Sequence, residues 1–138
     1  AGLKQAVEQG AIIGSAGDGK ISSATREDYA EAIAETIIND DHTGKTYELA
    51  GDQTFTMQDL AAEVSKQTGK NIEFVNLPEA EYAQKLQEIG LPEGMAKAFA
   101  SLDYSASKND LHDESGELAR LINRPTTSLS QAVKTGLN

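Results

Sequence analysis

The sequence predicts an α/β chain that is mostly helical, with two or three short strands. Three observations carry this. Apolar residues recur at helical intervals over most of the 138 residues, whereas strand-like runs are few and short. Cap and stop signals punctuate the helical segments at regular distances. The short apolar runs alternate with the helices instead of clustering, which is the order of an α/β chain.

Along the chain, AGLKQAVEQG reads as a helix with Leu3, Ala6 and Val7 on one face and Gly10 as its stop. No capping residue precedes it, and the chain opens on Ala1, so the sequence predicts a piece cut from something longer. Ala11-Ile12-Ile13 is a buried-strand candidate, and Gly14 to Lys20 is turn chemistry. Thr25-Arg26-Glu27-Asp28 has capping-box spacing, and Tyr29, Ala30, Ile33, Ala34, Ile37 and Ile38 continue as a helix over about 26–38. After a polar loop, Thr46 to Ala50 reads as a strand ended by Gly51-Asp52. Thr56-Met57-Gln58-Asp59 repeats the cap signal for a helix that closes at Thr68-Gly69. Asn71 to Leu77 is a strand with both faces partly covered. Helices follow over 79–89, stopped by Gly90, and from Leu91-Pro92-Glu93-Gly94 through Ala106. Lys108 to Asp113 is a polar break, Leu118, Leu121 and Ile122 form a short helix, and Thr126-Thr127-Ser128 caps a last one carrying Leu129, Ala132 and Val133.

Composition excludes several functions. A net charge of -10 repels phosphate backbones and anionic lipid surfaces, so nucleic-acid and membrane-surface binding are disfavoured. The absence of cysteine removes disulfides, thiol nucleophiles and cysteine-based zinc sites, and suits a cytoplasmic protein. No apolar run approaches the roughly 18 residues of a membrane span.

Several motifs nearly fit. Gly14-Ser15-Ala16-Gly17-Asp18-Gly19-Lys20 satisfies the G-x-x-x-x-G-K part of a phosphate loop, but Ile21 stands where a magnesium-binding hydroxyl belongs, and the next helix starts too late. Asp18 would also put a carboxylate into the anion cradle. Read as a calcium loop, the same stretch lacks two acidic ligands and the closing glutamate. A plain glycine turn explains it better. G-x-G-x-x-G and G-x-S-x-G do not occur. His42 and His112 read as hydrated surface residues, and no metal ligand set is evident. Asp28 could be an acid catalyst, although a helix cap accounts for it better. Met95, Phe99 and Leu102 make one stripe on their helix, which either packs a core or lines an apolar pocket.

The ordered wording goes further. Asp18-Gly19-Lys20-Ile21, Ala24-Thr25-Arg26, Asp28-Tyr29-Ala30 and Gly44-Lys45-Thr46-Tyr47-Glu48-Leu49-Ala50-Gly51-Asp52 resemble the second half of an NmrA-like atypical short-chain dehydrogenase/reductase. Leu60-Ala61-Ala62-Glu63, Asn76-Leu77, Gly90-Leu91-Pro92 and Pro125-Thr126-Thr127 extend the resemblance over essentially the whole chain. Within that family it is most similar to bacterial NAD(P)H:quinone oxidoreductases.

The resemblance implies a Rossmann-type parent. Residues 1–138 would be its substrate-side C-terminal portion, including a late Rossmann-sheet strand near 46–50, with the N-terminal nucleotide-binding half absent. It implies NAD(P)H and a quinone-like small molecule in the parent, no cofactor and no catalytic residue in this chain alone, and Met95, Phe99 and Leu102 as pocket candidates. An apolar strand without neighbours is an association hazard, so self-association is expected. The alternative the family allows is a non-catalytic module that senses redox state or binds a protein partner.

Overall fold

The computed structural model describes residues 2–138; Ala1, which the sequence reading includes in the first helix, lies outside them. Among the described residues, helix α1 (Gly2–Gln9) ends at Gly10, whose φ of +77° is the left-handed stop that glycine adopts without strain. Strand β1 (Ala11–Gly14) follows at once. The chain then builds α2 (Arg26–Ile38), one 3₁₀ turn (Asp40–His42) and α3 (Met57–Thr68) before strand β2 (Glu73–Asn76). β2 lies parallel to β1, in register from Ala11 against Glu73 to Gly14 against Asn76. The helices thus sit in the crossover that a parallel pair requires. The rest is helical: α4 (Glu79–Glu88), α5 (Glu93–Ser107), α6 (Glu117–Ile122) and α7 (Leu129–Leu137).

Two apolar clusters hold these elements. The larger joins α1, β1, α3 and α7 through Ala6, Ile12, Ala61, Val64 and Val133, with Ile72 just before β2. The smaller joins α2 to α6 through Ala32, Leu118 and Ile122, with Tyr29 and Leu49 packed on it. The α4–α5 hairpin closes on alanines, Ala83 from one helix and Ala96 and Ala100 from the other. Small side chains at a helix contact let the axes approach and leave the larger residues on the outer faces.

Helix caps follow the sequence closely. The Thr56 hydroxyl accepts the Asp59 N–H and the Asp59 carboxylate accepts the Thr56 N–H, a complete capping box. Ser128 and Gln131 make the same exchange at α7.

One strand prediction is corrected. Thr46–Ala50 forms no strand, because no second strand lies beside it to complete a ladder. Glu117 takes the Glu48 N–H, and the Gly51 N–H donates to Ser22 O at 2.8 Å. Among the described residues the one further pairing is an antiparallel bridge between Ile21 and Phe55. Among the described residues no helix is long and apolar enough to cross a membrane.

Candidate functional site

β1 and β2 both end at the Gly14–Lys20 turn, and the carboxyl ends of parallel strands are where open α/β sheets place ligands. Four peptide N–H groups of this turn are already engaged. Ser15 donates to Asp103 Oδ2 at 3.0 Å, Gly17 to Asn76 Oδ1 at 2.9 Å, Gly19 to Ala16 O at 3.0 Å and Lys20 to Asn109 Oδ1 at 2.8 Å. The Ser15 hydroxyl donates to Leu77 O at 2.8 Å. A Cβ on Gly19 would lie 2.0 Å from Ala106 O, so glycine is required there for α5 to seat against the turn. The turn is a joint between β1, β2 and α5. A dinucleotide pyrophosphate needs a cradle of free N–H groups, and this turn does not fit one. Asp18 Oδ1 accepts from the Gln58 side-chain amide at 2.9 Å.

Asp103 and Tyr82 form an unusual pair behind this joint. Burial pushes the Asp103 carboxyl above the usual carboxylate range, and the Ser15 N–H offsets only part of that. Burial, helped by the Asp103 charge, also raises the Tyr82 phenol. Perturbed groups of this kind cluster at functional sites.

Tyr82 also lines a cavity of about 530 Å³ between α1, β1 and α4. Its walls are mostly apolar, with Ile12 and Ile13 from β1, Met57 from α3, and Tyr82, Leu86 and Ile89 from α4. Lys85 reaches its rim, where Glu88 pairs with it at 2.8 Å. The size and apolar lining are those of a small-molecule site. The strict helical spacing of Tyr82, Leu86 and Ile89 marks one face of α4 in the sequence. That β1 would face them depends on the tertiary fold.

Met95, Phe99 and Leu102 do not pack a core. They are 52%, 47% and 51% exposed on the outer side of α5, while Ala96, Ala100 and Ala106 are buried on its inner side. They form a stripe outside the β1 cavity. A second exposed apolar face is Ile33, Ile37 and Ile38 on α2.

The remaining candidates have structural partners. His42 and His112 are partly exposed, and each has a side-chain partner. His42 Nδ1 lies 2.6 Å from the Tyr47 hydroxyl, and His112 Nδ1 lies 3.3 Å from Ser22 Oγ. Among the described residues no group of three His, Asp or Glu side chains could hold a metal ion. Asp28 gives the helix only its N–H, donated to Thr25 Oγ1 at 3.2 Å. Its fully buried carboxylate instead accepts from the Thr127 N–H at 2.7 Å, the Thr127 hydroxyl at 3.0 Å and Arg124 at 2.8 Å. Burial raises its pKa, but these donors together hold it below the usual range. Asp28 is a tertiary tie, fully buried and held by three donors from the far end of the chain. Sequence spacing could not reveal this, because its partners lie almost 100 residues away.

No protein-family model matches the chain. Quinone oxidoreductase 2 of Escherichia coli is 52% identical over 128 residues, which is 93% of this chain and 45% of that protein. The structure of the E. coli NADPH-dependent quinone oxidoreductase with NADPH superposes with a TM-score of 0.95 at 49% identity, covering 99% of this chain and 48% of that one. Citrobacter sp. triphenylmethane reductase with NADP(H) gives a TM-score of 0.93 at 33% identity, covering 99% and 48%. The chain spans about half the length of the relatives it matches. In sequence and in fold it is a counterpart of the C-terminal part of the NmrA-like NAD(P)-dependent reductases.

Proposed function

We propose that this chain forms the acceptor-binding side of an NAD(P)H-dependent cytoplasmic reductase that delivers hydride to a quinone-like compound. The observation that carries this reading is an apolar cavity of about 530 Å³ in a chain 52% identical to part of a quinone oxidoreductase. The nicotinamide cofactor supplies the hydride, and residues outside this chain hold it, since four amides of the glycine turn here are engaged within the fold. Met95, Phe99 and Leu102 are exposed and free to contact the acceptor as it docks. The chain alone binds no NADPH and turns nothing over.

Two faces support self-association of the isolated chain. Ile37 and Ile38 are 75% and 76% exposed on α2, and Thr46–Ala50 is an unpaired segment nearby in sequence.

Two measurements test the reading. Titration calorimetry of NADPH into the chain is expected to give no binding heat. In the whole reductase, Leu86→Ser, which strips an apolar side chain from the cavity lining, is expected to raise the quinone KM by about tenfold, corresponding to roughly 1.4 kcal/mol of lost apolar contact, with the NADPH KM unchanged. Saturable NADPH binding by the chain alone, or a shift confined to the NADPH KM, would contradict it.

A further inference from the structure

Asp103 stands on the inner face of α5. Ala96, Ala100, Asp103 and Ala106 recur at intervals of four, three and three, so they share one side of the helix. The alanines are buried and let α5 pack closely. Asp103 is a carboxylate on that same side, and it reaches the turn after β1. Its Oδ2 accepts the Ser15 N–H at 3.0 Å and lies 2.7 Å from where a Cβ on Gly14 would be. Glycine at position 14 is therefore what lets the carboxylate come down onto the Ser15 amide.

Two further contacts seat α5 on the same turn. Its Ala106 carbonyl lies against Gly19, and Asn109, just past the helix end, accepts the Lys20 N–H at 2.8 Å. α4 in turn rides on α5, since the hairpin closes on Ala83, Ala96 and Ala100. Another face of α4 carries Tyr82, Leu86 and Ile89 into the wall of the 530 Å³ cavity. Tyr82 senses the tie directly: burial first, and then the Asp103 charge, raises its phenol. Close-packed interiors transmit small shifts, so a change at the turn reaches the wall through two helices.

We propose that Asp103 is a positioning residue: by holding α5 on the Gly14–Lys20 turn through the Ser15 N–H, it sets where α4 presents Tyr82, Leu86 and Ile89 to the cavity. It acts through α5 and α4 and does not itself touch what the cavity holds. The tie between Asp103 and the wall stands on the geometry. Its consequence for turnover rests on the acceptor-binding reading above.

The test has two readouts. Methyl NMR of the 138-residue chain follows Leu86 and Ile89 on the cavity wall. Asp103→Ala is expected to shift both, and Asp103→Asn, which keeps an oxygen for the Ser15 N–H, to return them most of the way. Gly14→Ala, whose Cβ would strike the carboxylate, is expected to reproduce the shifts and to add little in the Asp103→Ala background, where that clash is gone. The Phe74 ring, 3.1 Å from the same point, is met in both backgrounds and so cancels. Gly14→Ala also keeps the test open if Asp103→Ala fails to fold. In the whole reductase, Asp103→Ala is expected to raise the KM for 1,4-naphthoquinone about three- to tenfold, the worth of one hydrogen bond, with the NADPH KM unchanged and Asp103→Asn recovering most of the loss. Methyl shifts that stop short of α4, a Gly14→Ala effect that adds in full to Asp103→Ala, or an Asp103→Asn variant no better than Asp103→Ala would overturn the proposal. A whole reductase that does not reduce quinones would contradict the proposed function while leaving the methyl shifts intact, so the two failures are distinguishable.

Discussion

Helices α2 and α3 start with the same signal, a threonine cap three residues before an aspartate, yet the two aspartates end in opposite environments. Asp59 is exposed and returns to the Thr56 N–H, so its whole effect stays within one helical turn. Asp28 is fully buried and turns away from Thr25 toward Arg124 and Thr127, which lie 96 and 99 residues further on. The threonines behave alike, each accepting the N–H three residues ahead at 3.2 Å. A local motif therefore fixes where a helix begins, and burial decides whether its carboxylate caps that helix or ties distant segments together.

The largest effect expected from breaking this comparison is at Asp28. Asp28→Asn removes the charge from a buried cluster of three donors. Arg124 is 40% exposed on its side chain, which weakens its share of the pair. A loss of about 2–3 kcal/mol is expected, or a fall in Tm of roughly 10 °C. Its pH dependence has a definite sign. The folded pKa is depressed, so the contribution is present above the unfolded carboxylate value, near pH 4, and is lost as pH falls through the lower folded value. Urea melts from pH 7 down to pH 2 should show the gap between wild type and Asp28→Asn closing only at the acid end.

Thr25→Ala and Thr56→Ala come next. Both are expected to cost about 1 kcal/mol, because each removes one capping acceptor. Unequal losses would show that the two helix starts differ at the threonine as well. Asp59→Ala is expected to cost less, about 0.5 kcal/mol, since it removes only the return half of an exposed box. Denaturant midpoints at constant m-value measure all three.

The smallest and opposite effect belongs to Asp103. Its folded pKa is raised, so its ionised form opposes folding: stability is highest below the unfolded pKa and declines as pH rises through the folded value. Asp103→Asn keeps an oxygen for the Ser15 N–H and drops the charge. It is expected to equal or slightly exceed wild type in stability at pH 7, with the difference vanishing near pH 3. A clear loss at pH 7 would mean that the ionised carboxylate stabilises the joint.

What the sequence made legible follows from how local each signal is. α3 came with its cap at Thr56 and its glycine stop at Gly69, both readable within a dozen residues. β1 and β2 were legible as short apolar runs. Thr46–Ala50 was misread because its pattern describes a strand, whereas a strand needs a neighbour and none is present here. The stripe of Met95, Phe99 and Leu102 has core periodicity, but α5 is apolar on two faces, and the alanine face packs closer. The histidines seemed isolated because Tyr47 and Ser22 are chemically ordinary partners. The cavity was the least legible feature. It takes residues from α1, β1, α3 and α4, which no local sequence pattern joins.

The central claim is that this chain supplies the acceptor side of a reductase. The most direct measurement replaces the corresponding part of E. coli quinone oxidoreductase 2 with this chain and determines steady-state constants for both substrates. NADPH affinity serves as the control that the chimaera has folded. The account predicts an active enzyme whose NADPH KM matches the parent while its quinone KM and its preference among quinones change. An NADPH KM that moves while the quinone constants stay those of the parent would contradict it.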